Sequence, residues 1–244
     1  MYAIETRGLT KRFKAKTAVD ALNLKVQQGE LFALLGQNGA GKTTTLRMLS
    51  GLLPPSEGEA LLLGHSVARE SRLIKPVTNI SPQETAVARN LSVRENLEMA
   101  AGVYGMRPKE AREKATEMLA MFGLTDCAKD KAKRLSGGTQ RRLSIAMALI
   151  SDPEILFFDE PTLGLDVVAR RELWSHIRSL KGRVTIILTT HYMEEAEALS
   201  DRIGIMAAGK LRAVDTAVAL VKQTGAKNFE DAYVALVTET EAAL

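Results

Sequence analysis

The sequence predicts an α/β fold built on a mostly parallel sheet, with a helical segment inserted in its middle. Short apolar runs alternate with helical patterns near both ends of the chain, and this alternation is typical of parallel strands covered on both faces. Between about residues 84 and 150, apolar residues instead recur at helical spacing. The third observation is a glycine-rich loop, GQNGAGKT at 36–43, that stands between an apolar strand and a helix.

Each predicted strand is a short apolar run bounded by turn residues. The runs are Leu22–Val26, Leu31–Leu35, Ala60–Leu63, Val77–Ile80, Ile155–Phe158, Val184–Thr190 and Ile203–Met206. The predicted helices are marked by N-cap residues, an early proline or a closing glycine. They run from Ser92 to roughly Tyr104, from Pro108 to Gly123, from Ser136 to Ile150, over Arg170–Leu180 and near Glu194–Leu199. From Thr216 onward we expect two short helices broken at Gly225.

The composition is that of an ordinary globular protein. Of the 244 residues, 45% are hydrophobic and 25% are charged, and the net charge of +4 is too small to argue for a nucleic-acid partner. The longest stretch without a charged residue, Leu31–Gly41, has eleven residues, whereas a transmembrane helix needs about 20. The start, MYAIETRGLTKRF, lacks the apolar segment of a signal peptide. The single cysteine, Cys127, excludes an internal disulfide, so we expect a cytosolic chain.

The loop at 36–43 has the G-x-x-x-x-G-K-T pattern that binds nucleotide phosphates. Its glycines allow successive backbone N–H groups to point at phosphate oxygens, and the following helix adds its positive N-terminal end. We expect Lys42 to reach the β and γ phosphates and the Thr43 hydroxyl to ligate Mg²⁺. The residues predicted to contact the nucleotide are Gly36, Asn38, Gly39, Ala40, Gly41, Lys42, Thr43 and Thr44. The sequence therefore predicts binding of ATP or GTP.

Two acidic residues, Asp159 and Glu160, follow the apolar run ILFF. The carboxyl ends of parallel strands form the ligand crevice of such a sheet. Asp159 is therefore expected to hold Mg²⁺ through its water shell, and Glu160 to orient or deprotonate an attacking water. The alternative is a pair of acids that begins a loop, but the preceding phosphate loop favours the functional interpretation.

Two further side chains follow predicted strands. His191 ends the run VTIILTTH, where its imidazole is expected to contact the γ-phosphate and to hold water and Glu160 in register. An ordinary surface histidine at a strand end is the alternative. Gln83 follows NISP, and its amide is predicted to join Mg²⁺ or the attacking water, with an ordinary turn glutamine as the alternative.

The motifs GQNGAGKTT, LSGGT at 135–139 and ILFFDEPTLGLD at 155–166 occur in this order, together with Gln83 and His191. On these residues the chain resembles the ATP-binding subunit of an ABC transporter, over roughly residues 3–213. The resemblance implies a P-loop NTPase core with a mostly parallel sheet, an antiparallel β subdomain and an inserted α-helical subdomain. It also implies an ABC ATPase domain over 1–215 and leaves 216–244 as a short C-terminal helical extension.

The resemblance assigns further nucleotide contacts. Phe13 occupies the position of an aromatic residue that stacks on adenine, with a core residue of an early strand as the alternative. Val19 lies where a small apolar residue touches the nucleotide. Asp166 belongs to a loop that reaches across a dimer, and it is also a suitable N-cap for the next helix. On the helix after LSGGT, Arg141 and Arg142 are expected to form a solvated or dimer-facing stripe.

The signature LSGGT implies a nucleotide site shared by two chains. Ser136 is a good N-cap, and Gly137 with Gly138 leaves the first helical turn open to an anion. In this family two subunits pack head to tail, so that this helix end of one chain closes over the γ-phosphate held by the other. Thr139 stands where the family most often has Gln; it can still donate a hydrogen bond but is shorter, so the resemblance leaves its contact with the far ribose open.

The resemblance implies an ATPase that powers transport, with ATP and Mg²⁺ as ligands and Lys42, Gln83, Glu160 and His191 as catalytic residues. The implied partners are integral membrane permease subunits and a second copy of the chain or a homologous ATPase subunit. The expected location is the cytoplasmic face of the membrane. Some import ATPases carry a further C-terminal regulatory domain, and its absence here favours export of drugs, lipids, polysaccharides or ions.

Two other functions are weighed against this one. A soluble ABC-type ATPase that acts on nucleic acid or ribosomes usually has a coiled coil, zinc cysteines or a second ATPase unit. The 92 positions from Thr43 to Leu135 leave no room for the first two, so no nucleic-acid partner is expected. A nucleotide-binding module without hydrolysis is disfavoured because Lys42, Asp159, Glu160 and His191 are all present.

Overall fold

The computed structural model describes residues 1–238. No helix within these residues is long and apolar enough to cross a membrane. The described residues form two compact units, one made of Met1–Ile74 with the described part of Lys181–Leu244, and the other of Lys75–Leu180. The division into a domain over 1–215 and an extension over 216–244 stays a prediction, and residues 239–244 of that extension lie outside the described residues.

The described residues contain the following strands and helices. The strands are β1 (Tyr2–Phe13), β2 (Lys16–Leu22), β3 (Lys25–Gln27), β4 (Leu31–Leu35), β5 (Glu57–Leu62), β6 (His65–Ser66), β7 (Thr78–Ser81), β8 (Ile155–Asp159), β9 (Thr185–Thr190), β10 (Arg202–Ala207) and β11 (Lys210–Asp215). The helices are α1 (Lys42–Leu49), α2 (Ser71–Ile74), α3 (Val93–Val103), α4 (Pro108–Met121), α5 (Gly137–Leu149), α6 (Val167–Ser179), α7 (Met193–Leu199), α8 (Ala217–Thr224) and α9 (Phe229–Thr238).

The first unit contains an antiparallel sheet with the strand order β2-β1-β5-β6, in which β3 also pairs with β1. The long strand β1 pairs antiparallel with β2, β3 and β5. Its buried residues include Ala3, Ile4 and Leu9, all fully excluded from solvent. This sheet confirms the antiparallel β subdomain that the family resemblance implies.

The predicted strand over Leu22–Val26 is wrong, because the chain leaves β2 at Leu22 and enters β3 only at Lys25. Between the two strands the hydroxyl of Thr6 replaces ladder partners. It donates to the carbonyl of Leu22 (2.9 Å) and accepts from the N–H of Leu24 (2.8 Å). An apolar run in the sequence does not reveal a side chain of another strand that interrupts it.

The first unit also contains four strands in the order β11-β10-β4-β9. Strand β4 is parallel to both β10 and β9, whereas β11 pairs antiparallel with β10. Every residue of β4 and β9 is buried, as expected for parallel strands covered on both faces. The helices α8 and α9 pack on β11 and β10 and confirm the two predicted helices, with Gly225 ending α8 in a left-handed conformation.

The second unit combines the parallel pair β7 and β8 with helices α3 to α6. The capping box predicted at the start of α3 is confirmed, since the Ser92 hydroxyl accepts from the Glu95 N–H and the Glu95 carboxylate accepts from the Ser92 N–H. Pro108 is the first residue of α4, as predicted. Gly123 follows the end of α4 with a φ of 60°, a conformation that favours glycine.

Candidate nucleotide site

The phosphate loop of the first unit connects β4 to α1 and is shaped by glycines. Gly39 and Gly41 have φ angles of 84° and 104°, in the region that L-residues rarely adopt. A Cβ on Gly36 would lie 2.3 Å from the carbonyl oxygen of Met206, and one on Gly41 would lie 2.5 Å from that of Ala18. The loop therefore needs glycine at 36 for space and at 41 for both space and conformation.

Lys42 is held by the backbone of the same loop. Its side chain is buried, and its Nζ donates to the carbonyl oxygens of Gly36 (2.7 Å) and Gln37 (3.1 Å). The N–H of Ala40 also donates to the Gln37 carbonyl at 3.1 Å, which tightens the turn. An ammonium group fixed at the start of a helix, beside successive backbone N–H groups, is suited to binding an anion.

His191 lies at the same sheet edge as the phosphate loop. Leu35 is the register partner of Thr190 in the parallel pair β4 and β9, so Gly36 and His191 are the residues that follow this pair. The Gly36 N–H donates to the Thr190 carbonyl at 3.3 Å. The His191 ring packs on the ring of Tyr192, with 4.1 Å between the centroids. The first unit thus places the phosphate loop and His191, both predicted to bind the nucleotide, at one edge of its sheet.

The two residues assigned to the base of the nucleotide differ in exposure. Phe13 ends β1 and is 47% exposed, with the Lys11 ammonium 5.3 Å from its ring centroid. The alternative of a core residue is therefore wrong. Val19 is fully buried and packs against Gly41, where a Cβ would lie 3.4 Å from its Cγ2. Stacking of Phe13 on adenine and contact of Val19 with the nucleotide stay predictions.

In the second unit, Asp159 ends β8 and Glu160 follows it, whereas Gln83 comes shortly after the parallel neighbouring strand β7. Ser81 is the register partner of Phe158 in β7 and β8, so the segments that follow both strands leave the sheet at one edge. Asp159 and Glu160 are 4% and 8% exposed, whereas Gln83 is exposed. The second unit thus places the predicted water-activating carboxylate and the predicted amide at one edge.

Glu160 has a backbone conformation that is rare for a residue with a side chain. Its φ is 47°, and the left-handed region costs a non-glycine residue roughly 1–2 kcal/mol. Such strain persists only where surrounding contacts hold the backbone, and it is concentrated at functional sites.

The prediction that Arg141 belongs to a solvated or dimer-facing stripe is wrong. Its side chain is buried, with the residue 4% exposed. Its guanidinium donates to the carbonyls of Pro161 (2.8 Å), Asp159 (3.2 Å), Gln83 (3.3 Å) and Pro82. The neighbouring Arg142 is half-buried and donates to the carbonyl of Phe122 at 3.4 Å. A local charge pattern could not reveal that two loops distant in sequence supply acceptors to Arg141.

The signature segment opens α5 as predicted. Ser136 is the N-cap, and its hydroxyl accepts from the N–H of Thr139 at 3.2 Å. The hydroxyls of Ser136 and Thr139 are also hydrogen-bonded at 2.9 Å, so this threonine supports the cap. Ser136 and Gly137 are exposed, which leaves the first turn of α5 open to solvent.

The two signature glycines differ in the space that surrounds them. A Cβ on Gly138 would lie 2.9 Å from the Cβ of Ala169, whereas one on Gly137 would meet no atom within 4 Å. Ala169 lies in the first turn of α6, where Asp166 is the N-cap and accepts from the N–H groups of Val168 and Ala169 at 2.9 and 3.0 Å. The N-cap prediction for Asp166 is confirmed. Gly138 allows the first turns of α5 and α6 to meet.

Sequence reasoning missed the contact between the C-terminal helix and the phosphate loop. Tyr233 and Val237 of α9 line a cavity of about 270 Å³ together with loop residues 37–40. Burial raises the pKa of Tyr233, and a backbone hydrogen bond with Gln37 opposes this effect. The only sequence signal was the apolar face of a short helix, which does not indicate what the helix covers.

Comparison with known proteins identifies the family. The model of a protein family described as "ABC transporter" matches residues 19–163, which is more than half of the chain. The chain belongs to the ABC transporter family. It is an ATP-binding subunit with the ATPase fold of that family, and the predicted P-loop NTPase core is confirmed.

The relatives of this ABC transporter subunit include proteins named for drug resistance. It is 42% identical over 224 residues to the daunorubicin resistance ATP-binding protein DrrA3 of Streptomyces coeruleorubidus, covering 91% of this chain and 71% of that one. It is 44% identical over 215 residues to the probable multidrug ABC transporter ATP-binding protein YbhF of Escherichia coli, covering 87% of this chain but only 37% of that protein.

Solved structures of ABC ATPases have the same fold. One, described as an ATP-binding subunit of an ABC transporter, has a TM-score of 0.84 at 27% identity, with 96% of this chain and 99% of that chain covered. Another is a dimeric ATP-binding cassette in a post-hydrolysis state with ADP and Pi, with a TM-score of 0.79 at 27% identity and coverage of 87% and 98%. The chain is accordingly an ATPase.

Proposed function

We propose that this ATPase subunit hydrolyses ATP in a head-to-tail dimer and thereby drives export through separate membrane subunits. The observation that carries the proposal is the phosphate loop, in which a buried lysine is held by the loop backbone at the start of α1. The roles of individual residues are proposed from the sequence motifs and from the local geometry within each unit.

Binding of ATP is assigned to the loop and to the first turn of α1. Backbone N–H groups of residues 36–43 bind the phosphates, because the glycines leave no side chains in the way. Lys42 binds the β and γ phosphates as a point charge. Phe13, exposed at the end of β1, stacks on the adenine ring.

Mg²⁺ is assigned to the Thr43 hydroxyl, to Asp159 and to Gln83. These oxygen donors fit Mg²⁺, which keeps several waters and takes few protein ligands beside substrate phosphates. When bound, the ion neutralises phosphate charge during transfer.

Glu160 is the proposed general base for the attacking water. It follows a fully buried strand and is itself 8% exposed, so its position is fixed by its surroundings. Gln83 leaves the neighbouring strand at the same edge and orients the water through its amide. His191, which follows β9, contacts the γ-phosphate and holds the attacking water and Glu160 in register.

Dimer closure is assigned to the exposed N-terminus of α5. Its first turn presents N–H groups and the positive end of the helix dipole, and Ser136 and Gly137 are exposed there. We propose that this end, with Gly138 and Thr139, binds the γ-phosphate held by a second subunit, and that Asp166 contributes from the start of α6. Loss of the γ-phosphate then removes contacts that hold the dimer closed.

The proposed partners are integral membrane subunits and a second ATPase subunit, and the proposed place is the cytoplasmic face of the membrane. Export of drug-like molecules is supported by the relatives named for daunorubicin and multidrug transport. Action on nucleic acid is not favoured, since the net charge is only +4.

The test of the catalytic assignment is Glu160→Gln in the full chain. Turnover at saturating ATP should fall by about a hundredfold or more, because a general base is lost while the shape is kept. An ATP-bound dimer should then accumulate, measured by light scattering. The matched control is Glu154→Gln, at the exposed residue directly before the same strand, which should keep wild-type turnover. Wild-type turnover in Glu160→Gln would contradict the assignment.

The test of the binding assignment is Lys42→Ala, which should weaken ATP binding in a nucleotide titration.

The test of the transport proposal is isolation of the native protein, which should yield an integral membrane subunit with it. Reproducible isolation without one, together with salt-sensitive binding to RNA or DNA that stimulates the ATPase, would contradict the transport proposal in favour of the nucleic-acid alternative.

A further inference from the structure

We propose that Arg141 is a positioning residue that holds the Glu160 and Gln83 loops in the geometry required for ATP hydrolysis. The inference rests on the proposed roles of these two side chains. Arg141 lies on α5, 18 and 20 positions away from two of its acceptors and 58 and 59 positions away from the other two. One side chain therefore connects the helix of the signature segment to both loops.

The guanidinium binds on either side of Glu160. Its Nε donates to the carbonyl of Pro161 at 2.8 Å, and its Nη2 donates to the carbonyl of Asp159 at 3.2 Å. The carbonyl groups of the residues before and after Glu160 are thus both bound by the same planar group. This is the residue whose backbone has a φ of 47°, so the contacts hold the strained conformation that aims the carboxylate.

The same guanidinium fixes the loop that carries Gln83. Its Nη1 donates to the carbonyl of Pro82 and, at 3.3 Å, to that of Gln83. These residues directly follow β7, whose partner strand β8 leads into Glu160. A displacement of either loop therefore changes the acceptors of one shared donor group, so the two loops keep a fixed relation to each other.

Arginine is suited to this task because its planar guanidinium presents five N–H donors in a rigid fork. Lysine has three donors on one atom and cannot reach carbonyls on two loops with the same geometry. The burial of Arg141, 4% exposed, means that its removal leaves carbonyl groups that water cannot readily satisfy. The loops would then shift to recover partners, and Glu160 and Gln83 would move with them.

The experiment compares Arg141→Lys with wild type in the full chain and separates binding from turnover. Because the phosphate contacts are assigned to the loop of Lys42, and only Mg²⁺ is assigned to the segments that Arg141 holds, the dissociation constant for ATP without Mg²⁺ should change by less than about twofold. The turnover number per ATP-binding site should fall by about a hundredfold, the size of effect expected from a misplacement of 1 Å. Turnover is normalised to titrated nucleotide sites, so that a smaller folded fraction does not lower it.

The control is Arg142→Gln, which removes the guanidinium at the adjacent position of α5 and, unlike Arg141→Lys, also removes its charge. Arg142 donates to the Phe122 carbonyl and pairs with Glu172, and neither contact involves the Glu160 or Gln83 loops. Its turnover per site should stay within about twofold of wild type. If Arg141→Lys is not recovered as folded protein, Arg141→Gln, which keeps an amide donor, makes the same measurement.

A double-mutant cycle tests whether Arg141 acts through Glu160. In a Glu160→Gln background, Arg141→Lys should lower turnover by less than about threefold, because residues that act as one unit are not additive. Full additivity, or unchanged turnover per site in Arg141→Lys, would overturn the inference. An equal loss in Arg142→Gln would also overturn it.

Failure of the proposed function has a different result. In that case Glu160→Gln would itself keep wild-type turnover, whatever Arg141→Lys does. If Glu160→Gln lowers turnover as expected and the Arg141 variants do not, only the positioning inference fails.

Discussion

The phosphate loop and the turn at Glu160 both require left-handed backbone, but the chain stabilises it in two different ways. In the phosphate loop the residues with left-handed backbone are glycines, Gly39 and Gly41, and glycine adopts this conformation with little strain. In the turn after β8 the residue with left-handed backbone is Glu160, which has a long side chain. The carbonyl groups of the residues before and after it accept hydrogen bonds from Arg141.

The difference follows from what each segment must present. The phosphate loop binds anions with its backbone N–H groups, so side chains are an obstacle and glycine serves both needs. The turn after β8 must present a carboxylate, so glycine is excluded and the strain must be opposed by contacts from elsewhere. A segment that binds its ligand through backbone groups is therefore stabilised by its own glycines. A segment that must present a side chain in the same conformation depends on contacts with distant residues.

The largest expected effect is that of Gly41→Ala. The left-handed φ of 104° and a Cβ only 2.5 Å from the Ala18 carbonyl oxygen should together destabilise the chain. We expect a loss of about 3 kcal/mol in the free energy of unfolding, with loss of ATP binding. Urea unfolding and nucleotide titration measure the two effects.

Gly39→Ala is the control for this effect, because its φ is also positive but its Cβ would meet no atom within 4 Å. It should cost only about 1 kcal/mol. Equal losses for the two variants would mean that conformation, and not the approach of Ala18, makes glycine necessary at 41.

A smaller effect is expected from comparing Glu160→Gly with Glu160→Ala. Both variants lack the carboxylate, so they differ only in how readily residue 160 adopts a φ of 47°. Glu160→Gly should be more stable than Glu160→Ala by about 1 kcal/mol in urea unfolding, and both should be inactive. If alanine were equally stable, the turn would relax once the carboxylate is gone, and the contrast with the glycine loop would be lost.

The smallest effect is expected from Tyr233→Phe, which removes the hydroxyl that approaches the backbone of Gln37. A loop held mainly by its own glycines should lose about fivefold or less in ATP affinity, since one neutral hydrogen bond contributes about 1 kcal/mol. Nucleotide titration of the full chain measures this. A tenfold loss would mean that the phosphate loop, too, depends on a distant residue.

Several features were predictable because their cause is local. The capping box at Ser92, the proline at the start of α4 and the N-caps Ser136 and Asp166 were all read from neighbouring residues and are confirmed. Gly138 was predicted for its openness to an anion, but its close approach to Ala169 could not be seen, because that contact joins two helices.

By itself the sequence determined the family, the phosphate loop, the parallel strands and most of the helices, because glycine spacing, caps and apolar periodicity act over a few residues. Only the tertiary structure decided that Arg141 is buried between two loops, that β2 and β3 are separate strands, and that α9 packs against the phosphate loop. Each of these depends on a partner far along the chain. Burial and backbone hydrogen bonds of that kind arise only when the chain has folded.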